Sequence, residues 1–552
     1  MIFHLILLSN DFILTNKNIK KMKKNPLLPV LVIVAAAMLS SCRGEGKKGS
    51  TVKEKPNIVF IMADDLGYGE LGCYGQEKIE TPHIDKLAER GMKFTNFYSG
   101  APVCAPARCM LLTGRHPGHA QIRGNNEMKW RGDVWDYKKV SEDPNLEGQY
   151  PLRKGTLTLG RLLQQAGYKT AAIGKWGLGG PLTDGRPTEQ GFDLFFGYNC
   201  QRQAHNYYPG HLWRNDEKVE LGNRIFSPHQ RFPKDLDPLD PKNYEQYRDK
   251  VYAPDLMIKE ALKFIEENKD RPFFLYYPTP IPHVALQAPE EWVQKYHKKF
   301  GDEEPYLGQH GYLPCRYPRA TYAAMISYLD DQVGQIISKL KELGIYDNTI
   351  IFFTSDNGPT YAGGVDTKFF DSAKPFRSSY GWGKGFTHEG GIREPMIVTW
   401  EGHITAGSDS DHIGAFWDIM PTLCDLAGIP APDSTDGISF LPTLLQKGTQ
   451  KQHDHLYWEF PAYTGQQAVR MGKWKAIRDS IFKGNHGIKL YDLENDLQEL
   501  HDVSAVHPDV VEKMERIMLE EHIPSKVFPL GWLDRPAEKA NTQSKAPPVA
   551  PK

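Results

Sequence analysis

Ile58-Val59-Phe60-Ile61-Met62-Ala63-Asp64-Asp65 opens the foldable part of this chain. Six apolar residues in a row with two carboxylates directly behind them read as a strand buried on both faces that ends in a polar loop. The same grammar recurs downstream. Thr170–Ile173 runs into Gly174-Lys175, Phe273–Tyr277 into a loop that reaches His283, and Ile350–Thr354 into Ser355-Asp356-Asn357-Gly358. Helical patterns lie between these strands. Thr81-Pro82 starts one that Gly91 ends, Leu157–Ala166 is stopped by Gly167, and Tyr322, Met325, Ile326, Leu329, Val333, Ile336, Ile337 and Leu340 recur at helical spacing. Alternation of this kind predicts an α/β fold with a doubly wound, mostly parallel sheet. After about residue 450 the texture changes. Leu456–Phe460, Ala468–Met471, Trp474–Ile477 and Lys489–Tyr491 stand at hairpin spacing, and Asp509–Leu519 reads as a helix. They predict a small C-terminal antiparallel α+β subdomain.

Composition agrees with a large packed protein. Of 552 residues 40% are hydrophobic and 24% charged, and 67 basic side chains nearly cancel 68 acidic ones. A basic excess of the kind that marks a nucleic-acid binder is absent, so no nucleic-acid partner is expected. Seven cysteines are too few for a disulfide scaffold in a chain this long. Near the N-terminus, Lys20, Lys21, Lys23 and Lys24 precede the apolar run Leu27–Leu39, which ends in Leu39-Ser40-Ser41-Cys42. That run suits a signal-peptide core and is short of the roughly 20 residues of a membrane-spanning helix. Its end resembles a lipobox. The expectation is an exported protein, anchored through acylated Cys42 to a bacterial membrane at the periplasmic face or cell surface, with Met22 as the true start. The chain divides into a signal region (1–42), a tether (43–55), a catalytic domain (56–450), the C-terminal subdomain (451–525) and a tail (526–552) expected to be disordered.

Ligands of open α/β sheets bind beyond the carboxyl ends of the strands. Asp64, Asp65, Asp356 and Asn357 all stand there, and together they make an all-oxygen set for a hard cation, Ca²⁺ or Mg²⁺. One Asp pair alone is usually a solvated turn or a cap. Two acidic clusters, each directly after a buried strand, argue for a site. The most informative stretch is Cys104-Ala105-Pro106-Ala107-Arg108-Cys109-Met110-Leu111-Leu112-Thr113-Gly114-Arg115. Pro106 suits the first turn of a helix and places Cys104 at its N-terminal end, where backbone N–H groups favour an anion. A Cys-x-Pro-x-Arg match arises by chance in a chain of this length only on the order of a few per cent of the time.

With these residues the sequence resembles the formylglycine-dependent (type I) sulfatases, arylsulfatase-like enzymes of the alkaline phosphatase superfamily, over roughly residues 55–525. The resemblance implies that a formylglycine-generating or radical maturase oxidises Cys104 to formylglycine. The hydrated aldehyde would attack the sulfur of a sulfate ester and pass through a sulfated enzyme intermediate. It implies calcium held by Asp64, Asp65, Asp356, Asn357 and the matured Cys104, and Arg108 steadying the hydrate. It further implies Lys175 and Lys384 binding sulfate, and His283 beside the leaving-group oxygen as general acid. Gly383-Lys384-Gly385, Glu389-Gly390-Gly391-Ile392-Arg393 and Leu490-Tyr491-Asp492-Leu493 resemble further family segments. Ala107 stands where Ser is commoner. The partner so implied is a sulfated glycan, with sulfated galactose or N-acetylgalactosamine as the guess.

One departure lies in the site itself. Many of these enzymes read Gly-Lys-Trp-His-Leu-Gly, whereas this chain has Gly174-Lys175-Trp176-Gly177-Leu178-Gly179, without the histidine that helps free the sulfate. Two long insertions, 121–155 with Arg123, Trp130 and Trp135, and 198–253, are expected to shape the pocket. His205 of the second is expected to fill the gap at Gly177, with Arg202 beside it as a substrate-binding residue; packing of His205 within its loop is the competing reading. A formylglycine-dependent phosphate or phosphonate ester hydrolase is the alternative function. A silent glycan-binding lipoprotein is disfavoured by the intact set of site residues, and a Ser/Thr phosphatase by its need for His-rich zinc ligands.

Overall fold

The strand that starts at Asn57 sits in the middle of the molecule. The computed structural model describes residues 55–534, so the signal region, nearly all of the tether and the end of the tail lie outside the described residues. Its strands are β1 (Asn57–Ala63), β2 (Met92–Phe94), β3 (Phe97–Tyr98), β4 (Lys169–Lys175), β5 (Leu194–Tyr198), β6 (His211–Arg214), β7 (Glu217–Glu220), β8 (Phe273–Pro278), β9 (Thr349–Ser355), β10 (Met396–Thr399), β11 (Ser408–Ser410) and β12 (Gly414–Ala415), followed by β13 (Leu456–Phe460), β14 (Gln466–Met471), β15 (Trp474–Arg478) and β16 (Lys489–Asp492). Ten form the main sheet in the order β11-β2-β10-β9-β1-β8-β4-β5-β6-β7. The five central strands, β9 to β5 in that order, are parallel; β6 and β7 continue one flank antiparallel, and on the other β10 runs antiparallel between β9 and β2, with β11 pairing parallel with β2 at the edge.

Parallel strands have helices on both faces, so their side chains must be apolar in both directions. β1 shows why its sequence is an unbroken hydrophobic run. Val59 and Ile61 face a core with the helices Pro82–Arg90, Ala253–Glu267 and Pro318–Glu342. Ile58, Phe60 and Met62 face a second core with the helices Cys104–Thr113, Leu159–Gln165 and Ile419–Ala427. All five side chains are buried. The second of these helices starts two residues later than its apolar pattern suggests, because Thr158 caps it by accepting the Arg161 N–H.

β13–β16 form an antiparallel sheet in sequence order. Leu456, Trp458, Ala468 and Ile477 pack on Tyr98 and Trp417 of the main body, while Tyr457, Val469, Ala476 and Leu490 take Met514, Ile517 and Met518 of the helix Pro508–Glu520. Buried charges also tie the sheet down. Lys475 Nζ lies 2.7 Å from Glu389 and 3.1 Å from Glu499, and Glu389 also meets Arg393 at 2.9 Å and accepts from the Tyr98 hydroxyl. At the end of the helix, Glu521 bridges His116 (3.0 Å) and His455 (2.9 Å).

Two expectations need correction. The tail does not loosen at residue 526. Phe528 and Leu530 are buried, Phe528 against Tyr150, because both are apolar and a short helical turn at Gly531–Asp534 follows them. Arg123 does not line a pocket. It is buried, binds Glu459 at 2.6 Å and the carbonyls of Ala120, Gly118 and Ile523, and so joins the body to the C-terminal sheet. Among the described residues no helix is long and apolar enough to cross a membrane, and the six cysteines are all free.

Candidate active site

The carboxyl ends of β1, β9, β4 and β8 deliver Asp64 and Asp65, Asp356 and Asn357, Lys175, and His283 to one place. β1 and β9 run in register to Ala63↔Ser355, which puts their acidic ends side by side. Asp65 N–H donates to Asp356 Oδ1 at 3.1 Å, and Leu66 N–H to Ser355 Oγ at 3.0 Å. Asp65 itself has φ 67°, a conformation few non-glycine residues adopt, and strain of this kind gathers at functional sites. Cys104 is the first residue of its helix, as Pro106 foretold, and Gly114 ends that helix. Ala105 N–H, one of the free donors of the first turn, goes to Asn125 Oδ1 at 2.9 Å.

Around the Cys104 sulfur the groups are close. Its thiol donates to Asp64 Oδ1 at 3.3 Å, and the ammonium groups of Lys384 and Lys175 lie 3.5 and 3.6 Å from Sγ. Lys175 also donates to Asp64 Oδ2 (2.5 Å) and Lys384 to both oxygens of Asp65 (2.6 and 2.7 Å). Arg108 donates to Asp356 Oδ2 (2.7 Å), lies 3.3 Å from Asp64, and fixes the Lys175 carbonyl. Three carboxylates thus face three cations, all buried except for the edge of Lys384, whose side chain is 13% exposed.

Burial alone would raise the Asp64 carboxyl, but Lys175, then His283, Arg108 and Lys384, hold it well below the usual range. Asp356 goes the other way, pushed up to about 6 by burial and by Asp64 against the pull of Arg108. Burial and Asp64 push the Cys104 thiol far up, so the unmodified sulfur lacks the lowered pKa of a thiolate nucleophile. Burial, Lys175 and Lys384 push His283 down to about 3. Its Nδ1 meets the Val284 carbonyl at 2.5 Å, which can only accept, so the proton sits on Nδ1 and the lone pair of Nε2 faces the site, 3.6 Å from Asp65.

The acidic cluster could hold a metal ion. Asp64, Asp65, Cys104 and His283 bring ligand atoms within 4.8 Å of one another. Asn357 Nδ2 is taken by Asp65, while its Oδ1 is buried without a partner, which is the state of a carbonyl that serves a cation.

The loop residues behave differently from expectation. His205 does not fill the space at Gly177. The side chain of Gln201 does: a Cβ on Gly177 would lie 1.8 Å from Gln201 Nε2. His205 instead stacks on His283 (ring centroids 5.0 Å, planes 11° apart) and meets His229 through Nδ1 at 3.1 Å. It backs the site imidazole from outside. Arg202 is buried and held by Glu127 at 2.6 Å, with its guanidinium over the Trp135 ring, so its charge joins the two loops. Two residues went unnoticed in the sequence. Gln201 is one; the missing histidine at 177 was the available signal. Tyr463 is the other, in the β13–β14 turn, 62% exposed and packed on Gly385 so closely that a Cβ there would lie 2.0 Å from its ring. Lys384 therefore opens to solvent beside a tyrosine from the C-terminal sheet.

Residues 56–429 match the family model described as Sulfatase, and residues 379–523 the one described as N-sulphoglucosamine sulphohydrolase, C-terminal. Human N-acetylgalactosamine-6-sulfatase is 33% identical over 408 residues, which cover 73% of this chain and 68% of that protein. Human arylsulfatase A is 31% identical over 517 residues, 85% of this chain and 88% of that one. Among solved structures, one described as Ps i-CgsB is 27% identical and superposes with a TM-score of 0.66 over 85% of this chain and 94% of its own. With the nucleophile motif, the acidic strand ends and both lysines converging in this fold, the chain belongs to the sulfatase family and is a sulfuric ester hydrolase.

Proposed function

We propose that this enzyme removes sulfate from a sulfated carbohydrate, of the galactose or N-acetylgalactosamine type, with Cys104 converted to formylglycine and a divalent cation, Ca²⁺ by its ligands, at Asp64, Asp65, Asp356 and Asn357. The observation that carries the reading is the convergence on Cys104 Sγ of two lysines within 3.6 Å and a carboxylate at 3.3 Å. The sugar class is supported by the human relative named for N-acetylgalactosamine 6-sulfate and by a related structure, 28% identical, whose description includes a bound neocarrahexaose. The hydrated aldehyde supplies an oxygen nucleophile that the buried thiol does not, and the cation supplies positive charge against the sulfate oxygens.

The chain's own residues do the rest. Lys175 and Lys384, next to the Cys104 side chain, hold the sulfate oxygens and favour the charge that develops on them. Arg108 fixes Asp356 and the Lys175 backbone, so the cationic cluster is oriented before substrate arrives. A sugar alcohol is a poor leaving group and needs a proton. His283 Nε2, whose lone pair faces the site, would take up the proton that the attacking hydroxyl gives up and pass it to the leaving oxygen. Stacking of His205 and the Val284 carbonyl keep that ring in place.

Mass analysis of the Cys104 peptide, combined with an activity panel of sulfate and phosphate esters, tests the reading. The expected result is an aldehyde at Cys104 that a hydrazide reagent labels, sulfate-ester turnover, and loss of both in Cys104→Ala with folding intact. Full activity in protein whose Cys104 is wholly a free thiol would refute it, and turnover of phosphate esters alone would favour the phosphohydrolase reading.

A further inference from the structure

We propose that Gln201 is a sulfate-binding residue of this enzyme, its side-chain amide donating to a sulfate oxygen in the space left by the missing imidazole at position 177. The inference rests on the sulfatase reading and deepens it. The loops after β4 and β5 run side by side: Trp176 N–H donates to the Tyr198 carbonyl at 2.9 Å and Gly177 N–H to the Asn199 carbonyl at 3.1 Å. Gly177 has φ 82°, and the Gln201 side chain lies directly across it, with Nε2, Cδ and Cγ at 1.8, 2.8 and 3.1 Å from where a Cβ would stand. The φ of 82° favours glycine in itself, and a side chain here would push the end of Gln201 aside. A histidine here would occupy the same volume.

The backbone at Gln201 is fixed, its N–H donating to Gln149 Oε1 at 3.0 Å. Its amide is not. Gln201 is 4% exposed, yet neither Nε2 nor Oε1 has a partner, and the fully buried Asn199 likewise has both amide atoms unpaired. Four unpaired polar atoms on two buried amides are far from ordinary in a native protein, where nearly every such group is bonded. They stand one and three residues past the end of β5, alongside the strand whose Lys175 ends 3.6 Å from Cys104 Sγ. The two amide N–H groups lack acceptor oxygens and the two amide carbonyls lack donors such as hydroxyl groups, which a sulfated sugar supplies together.

A sulfate ester fits that description. Its terminal oxygens are acceptors only at neutral pH, the complement of the unpaired Gln201 N–H donors. Lys175 and Lys384 supply charge without direction, since an ammonium is a rotatable point donor. A carboxamide adds a planar donor of fixed aim and no charge. It differs from imidazole in one respect that matters: an amide takes up no proton near neutral pH. Gln201 therefore binds and does not transfer protons, and proton movement in this enzyme falls to His283.

The test uses the full chain with its cation, in a Cys104→Ala background that cannot turn over, titrated calorimetrically with inorganic sulfate. Gln201→Leu keeps the shape and removes the amide; Gln201→Glu keeps the outline and replaces a donor with a negative charge. The dissociation constant for sulfate is expected to rise about 10- to 100-fold in the leucine variant, the loss expected for a hydrogen bond to a charged group. It should rise further in the glutamate variant, and thermal midpoints should stay close to the parent. A rise of less than threefold in the leucine variant, with the parent binding sulfate normally, overturns the assignment and leaves the sulfatase reading standing. A parent that binds no sulfate, from an enzyme that cleaves no sulfate ester, refutes both. If the leucine variant fails to fold, the glutamate variant decides by the same threshold.

Discussion

Replacing Lys475 by methionine would break the buried charge cluster between the C-terminal sheet and the main body while nearly keeping the volume. In the native protein the ammonium stands 2.7 Å from Glu389 and 3.1 Å from Glu499, and all three side chains are almost wholly inaccessible. At an effective dielectric of 20 each contact is worth about 5–6 kcal/mol of gross attraction, most of which offsets desolvation. Removing one partner of a buried pair costs about 3–5 kcal/mol, because the carboxylates stay buried without compensation. Glu389 keeps Arg393 and Tyr98, so the lower end applies, about 3 kcal/mol, equivalent to roughly a hundredfold rise in the population with the sheet detached. Hydrogen exchange read peptide by peptide should show it: protection in 456–492 falls by about that factor, while that of β1 and β9 is little changed. A fall of less than threefold would refute the idea that this cluster fastens the sheet. The acid limb follows with its sign. Despite burial, Lys475 and Arg393 hold the Glu389 carboxyl well below its ordinary value. Its stabilisation is therefore complete above the unfolded value near 4.3 and fades as pH drops below it, so the wild-type sheet should loosen in acid before β1 does.

Three further outcomes are expected. Asp64→Asn or Asn357→Ala should lower calcium content after dialysis, and the wild-type protein should gain about 2.7 kcal/mol of stability at a calcium concentration one hundred times the dissociation constant. His283→Ala should cut turnover of a sulfated sugar about 10²- to 10⁴-fold, whereas His205→Phe, which keeps a ring stacked on His283, should stay within tenfold of wild type; equal losses would restore His205 as a proton acceptor. Cys42→Ala should release the mature protein from membranes in cell fractionation, and a wild-type protein recovered soluble and unacylated would refute anchoring.

The parts of the site that could be read from the sequence are those whose position follows from a strand. Asp64, Asp65, Asp356, Asn357 and Lys175 stand at or just past the ends of buried apolar runs, and parallel register brings such ends together whatever the intervening chain does. Cys104 was legible for a different reason, since Pro106 announces a first helical turn. The loop side chains were not legible. Which residue covers Gly177 depends on backbone pairing between two loops, and neither composition nor period decides whether position 201 or 205 turns inward. Arg202, expected to bind substrate, and Arg123, expected in a pocket-shaping loop, proved to be paired with Glu127 and Glu459, because a buried guanidinium must find a carboxylate wherever the tertiary structure offers one. Tyr463 belongs to a hairpin far along the chain from Lys384, and local sequence carries no trace of that contact.

That contact divides the enzyme's labour between parts with different freedom to change. The reacting groups hang from the parallel sheet and are locked in mutual charge compensation, so exchanging any one of them disturbs all the others. The exposed edge of Lys384 is neighboured by a short turn, residues 461–465, whose tyrosine is largely exposed and packs on Gly385, Phe386 and Phe460. Such a turn can be lengthened, shortened or recoded without unsettling the reaction core. New sugar preferences would then arise by grafting hairpin tips onto an unaltered hydrolytic engine, and a library confined to those five positions is where altered selectivity should be sought first.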